Sequence, residues 1–360
     1  MSAVQKYTYD GTFTMKRGQL TAPVLAYETW GTLNDQRDNG VLIFTGLSPS
    51  AHAASSNTDP SSGWWEDMVG PDKPIDTNRY FIVCVNSLGS CFGSTGPASI
   101  NPDTGEHYRL SFPVLCVEDI ANAGAEVLQH LGIGVLHSVL GASMGGMTAL
   151  AFTLLHPDRA RGLIAISSAA RSLPFSIAVR SLQREMIRRD TAWKNGNYDF
   201  AEGPSTGMRL ARKLGMISYR SADEWAERFG RERAMTGDQP DHPFGIDFEV
   251  ESYLEAQANK FVGTFDANCY LYLSRAMDLF DVADHGGSLE RGLQRVNLER
   301  AMVIGVETDF LFPVEQQEEL ALGLDPHVDQ VDFRRLPSIQ GHDSFLVDMD
   351  RFRPALASFF

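Results

Sequence analysis

Val135-Leu136-His137-Ser138-Val139-Leu140-Gly141-Ala142-Ser143-Met144-Gly145-Gly146-Met147-Thr148-Ala149-Leu150-Ala151-Phe152-Thr153-Leu154 contains a strand, a sharp turn and a helix in that order. Val135–Leu140 is an apolar run of strand length. Met147, Leu150, Ala151 and Leu154 then recur at i, i+3, i+4 and i+7, the spacing of one helical face. Between them, Gly141-Ala142-Ser143-Met144-Gly145 matches G-x-S-x-G, the turn that pushes a serine out at the C-terminal edge of a sheet. A second match, Gly203-Pro204-Ser205-Thr206-Gly207, follows a polar segment and contains a proline, so it reads as a simple turn.

Working outward, further apolar runs alternate with helical stretches. Val41–Phe44 and Tyr80–Val85 are strand-like; Ile120, Ala123, Val127 and Leu131 share a helical face within Asp119–Leu131; Leu163–Ile166 is the next strand. Continuous apolar strands between helices imply a parallel sheet covered on both faces. From Ser172 to about Arg295 the pattern changes to helical segments rich in Arg, Met and aromatics: Ser176–Asp190, Met208–Gly215, Ala222–Phe229 and a long Glu249–Phe280 stretch. Strand character returns at Ala301–Val306 and Val328–Leu336, before a closing helix over Met349–Phe359. The expected organisation is one α/β unit made of residues 1–171 and 298–360, interrupted by a helical insertion over 172–297.

Composition fits a globular protein: 360 residues, 43% hydrophobic and 21% charged. The net charge of −15 argues against nucleic acid and anionic membrane partners, though not against a small polyanion held by a local basic patch. Met1–Tyr7 has no apolar run of the signal-peptide kind, and no run approaches the length of a membrane-spanning helix. Cys84, Cys91, Cys116 and Cys269 form no C-x-x-C pair and no ligand-like spacing with histidine. Reduced thiols, no metal site and a cytoplasmic location are therefore expected.

A serine hydroxyl is a weak nucleophile that needs a base, and the base needs a third group to orient it. With a G-x-S-x-G elbow the chain order is Ser, then Asp or Glu, then His. Among nine histidines, His242, His285, His327 and His342 lie well downstream of Ser143. His342 alone sits just after the last strand, in Gly341-His342-Asp343-Ser344-Phe345, and is the expected base. Asp309 follows the Ala301–Val306 strand and is preferred over Glu307 as the orienting acid. The oxyanion hole is expected from the backbone N–H groups of Met144 and of Leu47, the latter in the loop Gly46-Leu47-Ser48-Pro49.

Several longer strings carry a resemblance. Gly63-Trp64-Trp65, Gly70–Thr77, Gly93–Pro102, Gly141–Met147, Asp266–Leu273 and Gly341-His342-Asp343 are similar, in order along nearly the whole chain, to the homoserine O-acyltransferase family. That resemblance implies an α/β-hydrolase fold with a helical lid, acyl transfer from acyl-CoA to an amino-acid hydroxyl through an acyl-serine, and a homodimer joined through the lid. It also implies no tightly bound cofactor, acyl-CoA being a substrate. By position, Ser143, Asp309 and His342 match the family's triad, Arg212 its substrate-binding arginine, and Asp343 the aspartate after its histidine. A zwitterionic amino acid suits that last pair, the carboxylate on Arg212 and the ammonium on Asp343.

Two strings look like the serine O-succinyltransferase branch: Gly46-Leu47-Ser48-Pro49-Ser50-Ala51-His52-Ala53-Ala54 and Pro174–Arg184. The first makes Ser48, Pro49, Ser50 and Ala51 the expected acceptor-specificity loop. In the second, Arg180 is the candidate anchor for the free carboxylate of a succinyl donor, which must be paired if buried. Arg180, Arg184 and Arg188 also recur at i, i+4 and i+8, as a solvated basic face would. Leu311, two residues after Asp309, matches acetyl-specific relatives and points the other way. The leading expectation is succinyl transfer from succinyl-CoA to L-serine. Homoserine O-acetyl- or O-succinyltransfer, a plain esterase, and an inactive hydrolase-fold binding protein are the other readings.

Overall fold

The computed structural model describes residues 3–234 and 244–360. His242 lies outside the described residues. Among the described residues, twelve strands run in chain order: β1 (Gln5–Thr8), β2 (Thr12–Met15), β3 (Gly18–Thr21), β4 (Val24–Trp30), β5 (Gly40–Phe44), β6 (Val69–Gly70), β7 (Ile75–Asp76), β8 (Phe81–Val85), β9 (Ser138–Ala142), β10 (Gly162–Ile166), β11 (Leu298–Val306) and β12 (Val328–Leu336). Eight of them form one sheet in the order β1-β4-β8-β5-β9-β10-β11-β12. Every pairing from β8 to β12 is parallel; β4 is antiparallel to both β1 and β8.

The central strands β5, β9 and β10 are buried along their whole length, as expected of apolar runs covered on both faces. One face is covered by α1 (Val117–His130) and α2 (Met144–Leu155), whose Ile120, Val127, Leu150 and Phe152 join Phe44 and Val139 in one core cluster. On the other face, Ile43, Leu140 and Ile304 pack with Trp65, Phe352 and Phe359.

Between β10 and β11 the chain forms α3 (Pro174–Arg189), α4 (Ser205–Tyr219), α5 (Ala222–Phe229), α6 (Glu249–Phe261), α7 (Ala267–Leu279) and the short α8 (Leu289–Leu293). The expected Glu249–Phe280 stretch is two helices. The break has a cause: Asp266 caps the second, its Oδ1 accepting the Cys269 N–H at 2.9 Å. The necks of the insertion meet in a bridge between Arg171 and Asp281, where the Val282 N–H donates to the Ala170 carbonyl at 3.0 Å. Past that point the chain packs on the core, with His285 Nε2 3.1 Å from Glu118 of α1. We therefore propose a lid over 172–280, shorter at its C-terminal side than the expected 172–297. The chain closes with α9 (Val314–Leu324), α10 (Ser344–Val347) and α11 (Met349–Ala357).

From β5 the chain steps outward to β8 and then returns across β5 to β9. The reversal leaves a crevice at the C-terminal ends of β5 and β9, the usual ligand position in such sheets. Leu47 follows β5, Ser143 follows β9, Asp309 follows β11 and His342 follows β12.

Candidate active site

Ser143 links β9 to α2 with φ 56° and ψ −123°, a left-handed conformation strained for a residue with a side chain. The turn closes because its flanks are bare. A Cβ on Gly141 would lie 2.2 Å from the Gly145 carbonyl carbon, and one on Gly145 would lie 2.2 Å from the Phe44 carbonyl oxygen. Backbone bonds hold the serine from both sides: its N–H donates to Ile166 at 2.9 Å, and its carbonyl accepts the Ser168 hydroxyl at 2.9 Å. Ser205, by contrast, merely opens α4 after Pro204.

His342 Nε2 lies 2.9 Å from Ser143 Oγ, and His342 Nδ1 lies 2.7 Å from Asp309 Oδ2. The other Asp309 oxygen accepts the N–H groups of Leu311 at 3.0 Å and Phe312 at 2.9 Å, which fixes the carboxylate. Both His342 and Asp309 are buried, and the imidazole stacks on Phe312 with ring centroids 5.2 Å apart. Burial disfavours a charged imidazole here. The charge and hydrogen bond of Asp309, with the Asp343 charge, outweigh it and raise the His342 pKa above the ordinary histidine value. Glu307, the rival acid, points outward to Arg335 at 3.0 Å.

Ser143 and His342 open into a cavity of about 140 Å³ that is also lined by Leu47, Ser48, Pro49, Arg180, Arg212 and Asp343. Arg212, on α4, has a buried Nε without a hydrogen-bond partner, and its guanidinium lies 4.7 Å over the Phe261 ring. Arg180, on α3, is buried too; its Nε reaches Asp278 at 2.6 Å and its Nη2 reaches Ser172 at 2.6 Å, while Nη1 has no partner. Ser143, His342 and two partly unsatisfied guanidinium groups thus share one small chamber beneath helices.

The family described as the alpha/beta hydrolase fold matches residues 41–339. A serine O-succinyltransferase of Litchfieldella anticariensis is 58% identical over 343 residues, covering 95% of this chain and 94% of the relative. The chain belongs to the serine O-succinyltransferase family. Among solved structures, a homoserine O-acetyltransferase from Bacillus anthracis is 29% identical with a TM-score of 0.91, covering 100% of this chain and 98% of that one. The esterase E22 structure is also 29% identical, with a TM-score of 0.88 and 99% of each chain covered.

Within this family member, the expected residues divide by position. Ser48 and Pro49 line the cavity; Ser50 and Ala51 do not. Ser50 instead braces the loop, its carbonyl accepting the Trp64 indole N–H at 3.0 Å, and Ala51 is buried. Gly46 runs beside β9, where a Cβ would lie 3.8 Å from the Ala142 carbonyl oxygen, so Leu47 lies close to the elbow. Met144 is the first residue of α2, directly after Ser143. The arginine series does not form one solvated face: Arg180 turns into the cavity, whereas Arg184 and Arg188 line a separate groove with Trp193 and Arg275.

Asp343 has a partner already, Arg220 Nε at 3.3 Å. Burial raises the Asp343 pKa, against the pull of Arg220, His342 and Arg212. Trp64, Gln183, Tyr219 and Tyr270 also line the cavity without having been singled out from sequence. Tyr219 lies seven residues after Arg212 on α4, so helical spacing from the arginine was the signal that could have found it.

Proposed function

We propose that the chain moves a succinyl group from succinyl-CoA to the hydroxyl of L-serine through an acyl-serine on Ser143. The observation that carries this reading is the continuous relay Ser143–His342–Asp309 at the floor of a chamber that also holds unsatisfied guanidinium donors. Ser143 Oγ attacks the thioester carbonyl as His342 Nε2 takes its proton. The developing oxyanion is met by the N–H groups of Leu47 and Met144. CoA leaves as the thiol, protonated by His342. In the second half, His342 takes the proton of the serine hydroxyl, which attacks the acyl-serine carbonyl; collapse of the tetrahedral species breaks the bond to Ser143 Oγ, which regains a proton from His342 as O-succinylserine leaves.

Arg180 is the proposed partner of the donor's free carboxylate, since a buried guanidinium with a spare N–H favours an anion at that place. Arg212 and Asp343 take the acceptor's carboxylate and ammonium, and Ser48-Pro49 limit its length. In the second reading homoserine is the alternative acceptor, and acetyl-CoA as donor is favoured by Leu311. That residue gives the site no further cation two positions after Asp309. Serine and homoserine differ by one methylene, worth about 1–3 kcal/mol of discrimination.

We further propose a cytoplasmic homodimer joined through the lid. Phe175 and Leu182 on α3, and Leu210 and Ile217 on α4, are exposed at seven-residue spacings on packed helices, which supports an apolar contact face there. The four cysteines are free thiols, in keeping with a reducing compartment. Among the described residues no helix is long and apolar enough to cross a membrane.

The test is thiol release with succinyl-CoA or acetyl-CoA against L-serine or L-homoserine. Succinyl-CoA with L-serine should give the highest kcat/KM. Release independent of any amino acid would instead make this an esterase-like hydrolase.

A further inference from the structure

Glu28, in the middle of β4, is 1% exposed, a position where a carboxylate is rarely found without compensation. Its Oε2 lies 2.9 Å from Nδ1 of His52, and its Oε1 has no partner. His52 belongs to the loop that leaves β5 and passes the candidate oxyanion and acceptor positions. Its other nitrogen, Nε2, lies 3.0 Å from the carbonyl oxygen of Ser61 and 3.1 Å from the Ser61 hydroxyl.

The hydrogen-bond arithmetic fixes the charge. A carboxylate and a carbonyl are both acceptors, so each ring nitrogen needs its own proton. The Ser61 hydroxyl offers no relief, because it donates to Asp59 Oδ1 at 2.6 Å. With Glu28 as the carboxylate, only the imidazolium satisfies both sides at once. The electrostatics agree: burial opposes the charge, yet hydrogen bonds to Glu28 and the Ser61 carbonyl, with the charges of Glu28 and Asp59, raise the His52 pKa. Cys84, opposite Glu28 on β8, stays a neutral thiol, since burial and the Glu28 charge push it well above the usual range.

The backbone ties the same clasp to the cavity wall. The Trp64 N–H donates to the His52 carbonyl at 3.2 Å, and the Trp65 N–H to the Ala53 carbonyl at 2.8 Å. Trp64 and Pro49 both line the cavity. His52 therefore pins the two halves of the loop to the sheet from beneath.

We propose that His52, as an imidazolium clamped between Glu28 and Ser61, is a positioning residue that holds the acceptor side of the cavity closed and biases the acyl-serine towards transfer over hydrolysis. The inference rests on the succinyl-transfer reading for its kinetic consequences, not for the geometry of the clamp. His52 does not itself line the cavity that holds Ser143. Leu47 comes five residues earlier, directly off β5, so the first half-reaction depends on the clamp far less than the second.

The test compares wild type with His52→Gln and Glu28→Gln. At neutral pH the expected result is a roughly tenfold rise in KM for L-serine. The hydrolysis-to-transfer ratio should rise similarly, while first-turnover CoA release changes less than twofold. In the wild type the serine KM should also climb as pH rises through the His52 pKa, and that climb should be absent in His52→Gln. The double variant should be no worse than either single one. A folded His52→Gln protein with wild-type serine KM and partition, or with all rates lowered equally, overturns the proposal. If the variants do not fold, the wild-type His52 ring titration followed by 1H–15N NMR carries the test. A midpoint away from the rise in serine KM overturns the clamp. Absence of serine-dependent thiol release from the wild type sinks the transfer reading instead. The ring titration, with Trp64 fluorescence as the loop signal, would then still decide the clamp, which fails if the two do not move together.

Discussion

Asp278 holds Arg180 Nε at 2.6 Å through one oxygen, while Arg184, one turn further along α3, reaches the other oxygen at 2.7 Å. Two cations share one anion, so the cluster carries surplus positive charge, and the spare Arg180 Nη1 is buried. A buried guanidinium in that condition is stabilised by a further carboxylate. Replacing Arg180 with alanine should lower kcat/KM for succinyl-CoA about 10- to 100-fold, the worth of one charged hydrogen bond. Acetyl-CoA turnover should change little. Parallel kinetics with both donors check this, and an unchanged succinyl preference would remove Arg180 from donor selection.

The Ser143–His342–Asp309 relay makes a second expectation. Ser143→Ala should abolish acylation, read as no thiol release in a single turnover. Asp309→Asn keeps the shape but presents the wrong tautomer to Ser143, and a fall on the order of 10⁴ in kcat is expected by analogy with other such triads. Because Asp309 Oδ1 also accepts two backbone N–H groups, the asparagine variant should lose some stability as well. Activity and melting temperature together separate these effects.

The pH dependence follows from His342. Its pKa is raised in the folded protein, and the base must be neutral to accept the Ser143 proton. Activity should therefore fall as pH drops through that raised value. Stability runs the opposite way: the favourable His342–Asp309 interaction is fully present below the unfolded pKa of about 6.5 and is lost as pH rises through the folded pKa. His342→Gln should abolish activity and remove this stability dependence, measured as the wild-type minus variant difference in melting temperature across that window.

Much of this was legible because the chemistry leaves local marks. Gly141-x-Ser143-x-Gly145 encodes its own turn, and apolar runs such as Val41–Phe44 announce buried strands. The fully buried β5 was visible for that reason; β1 to β3 were not, since half or more of their residues are exposed, while the largely buried β4 carries Glu28 and Thr29, which interrupt its apolar run. His342 and Asp309 could be chosen because each follows a strand end. Glu28 and His52 could not, because a partnership across 24 residues is a tertiary fact with no spacing rule behind it. Some family-like strings turn out to be scaffolding: Asp266 caps α7, and Asn268 Oδ1 accepts the Trp193 indole N–H at 2.9 Å. Arg180 illustrates the limit from the other side. Its i, i+4, i+8 series fits a solvated face equally well, and only the position of Asp278 on a separate helix turns it inward.

The elbow itself supplies the last prediction. A methyl group at position 145 would meet the Phe44 carbonyl oxygen at 2.2 Å and its carbon at 2.9 Å. Both are backbone atoms of the central strand β5, so no flexible side-chain end can swing aside. Gly145→Ala must separate β5 from the start of α2, at a cost of about 3 kcal/mol, the upper end of overpacking. The same displacement would carry Leu47 away from Ser143, because Leu47 is three residues beyond Phe44 on one continuous chain. Activity should therefore fall further than the folded fraction does. Chemical denaturation gives the first quantity, and acylation rate per folded molecule gives the second. A variant of wild-type stability would mean that β5 and the elbow do not approach as closely as described, and the proposed place of the oxyanion hole would fall with that contact.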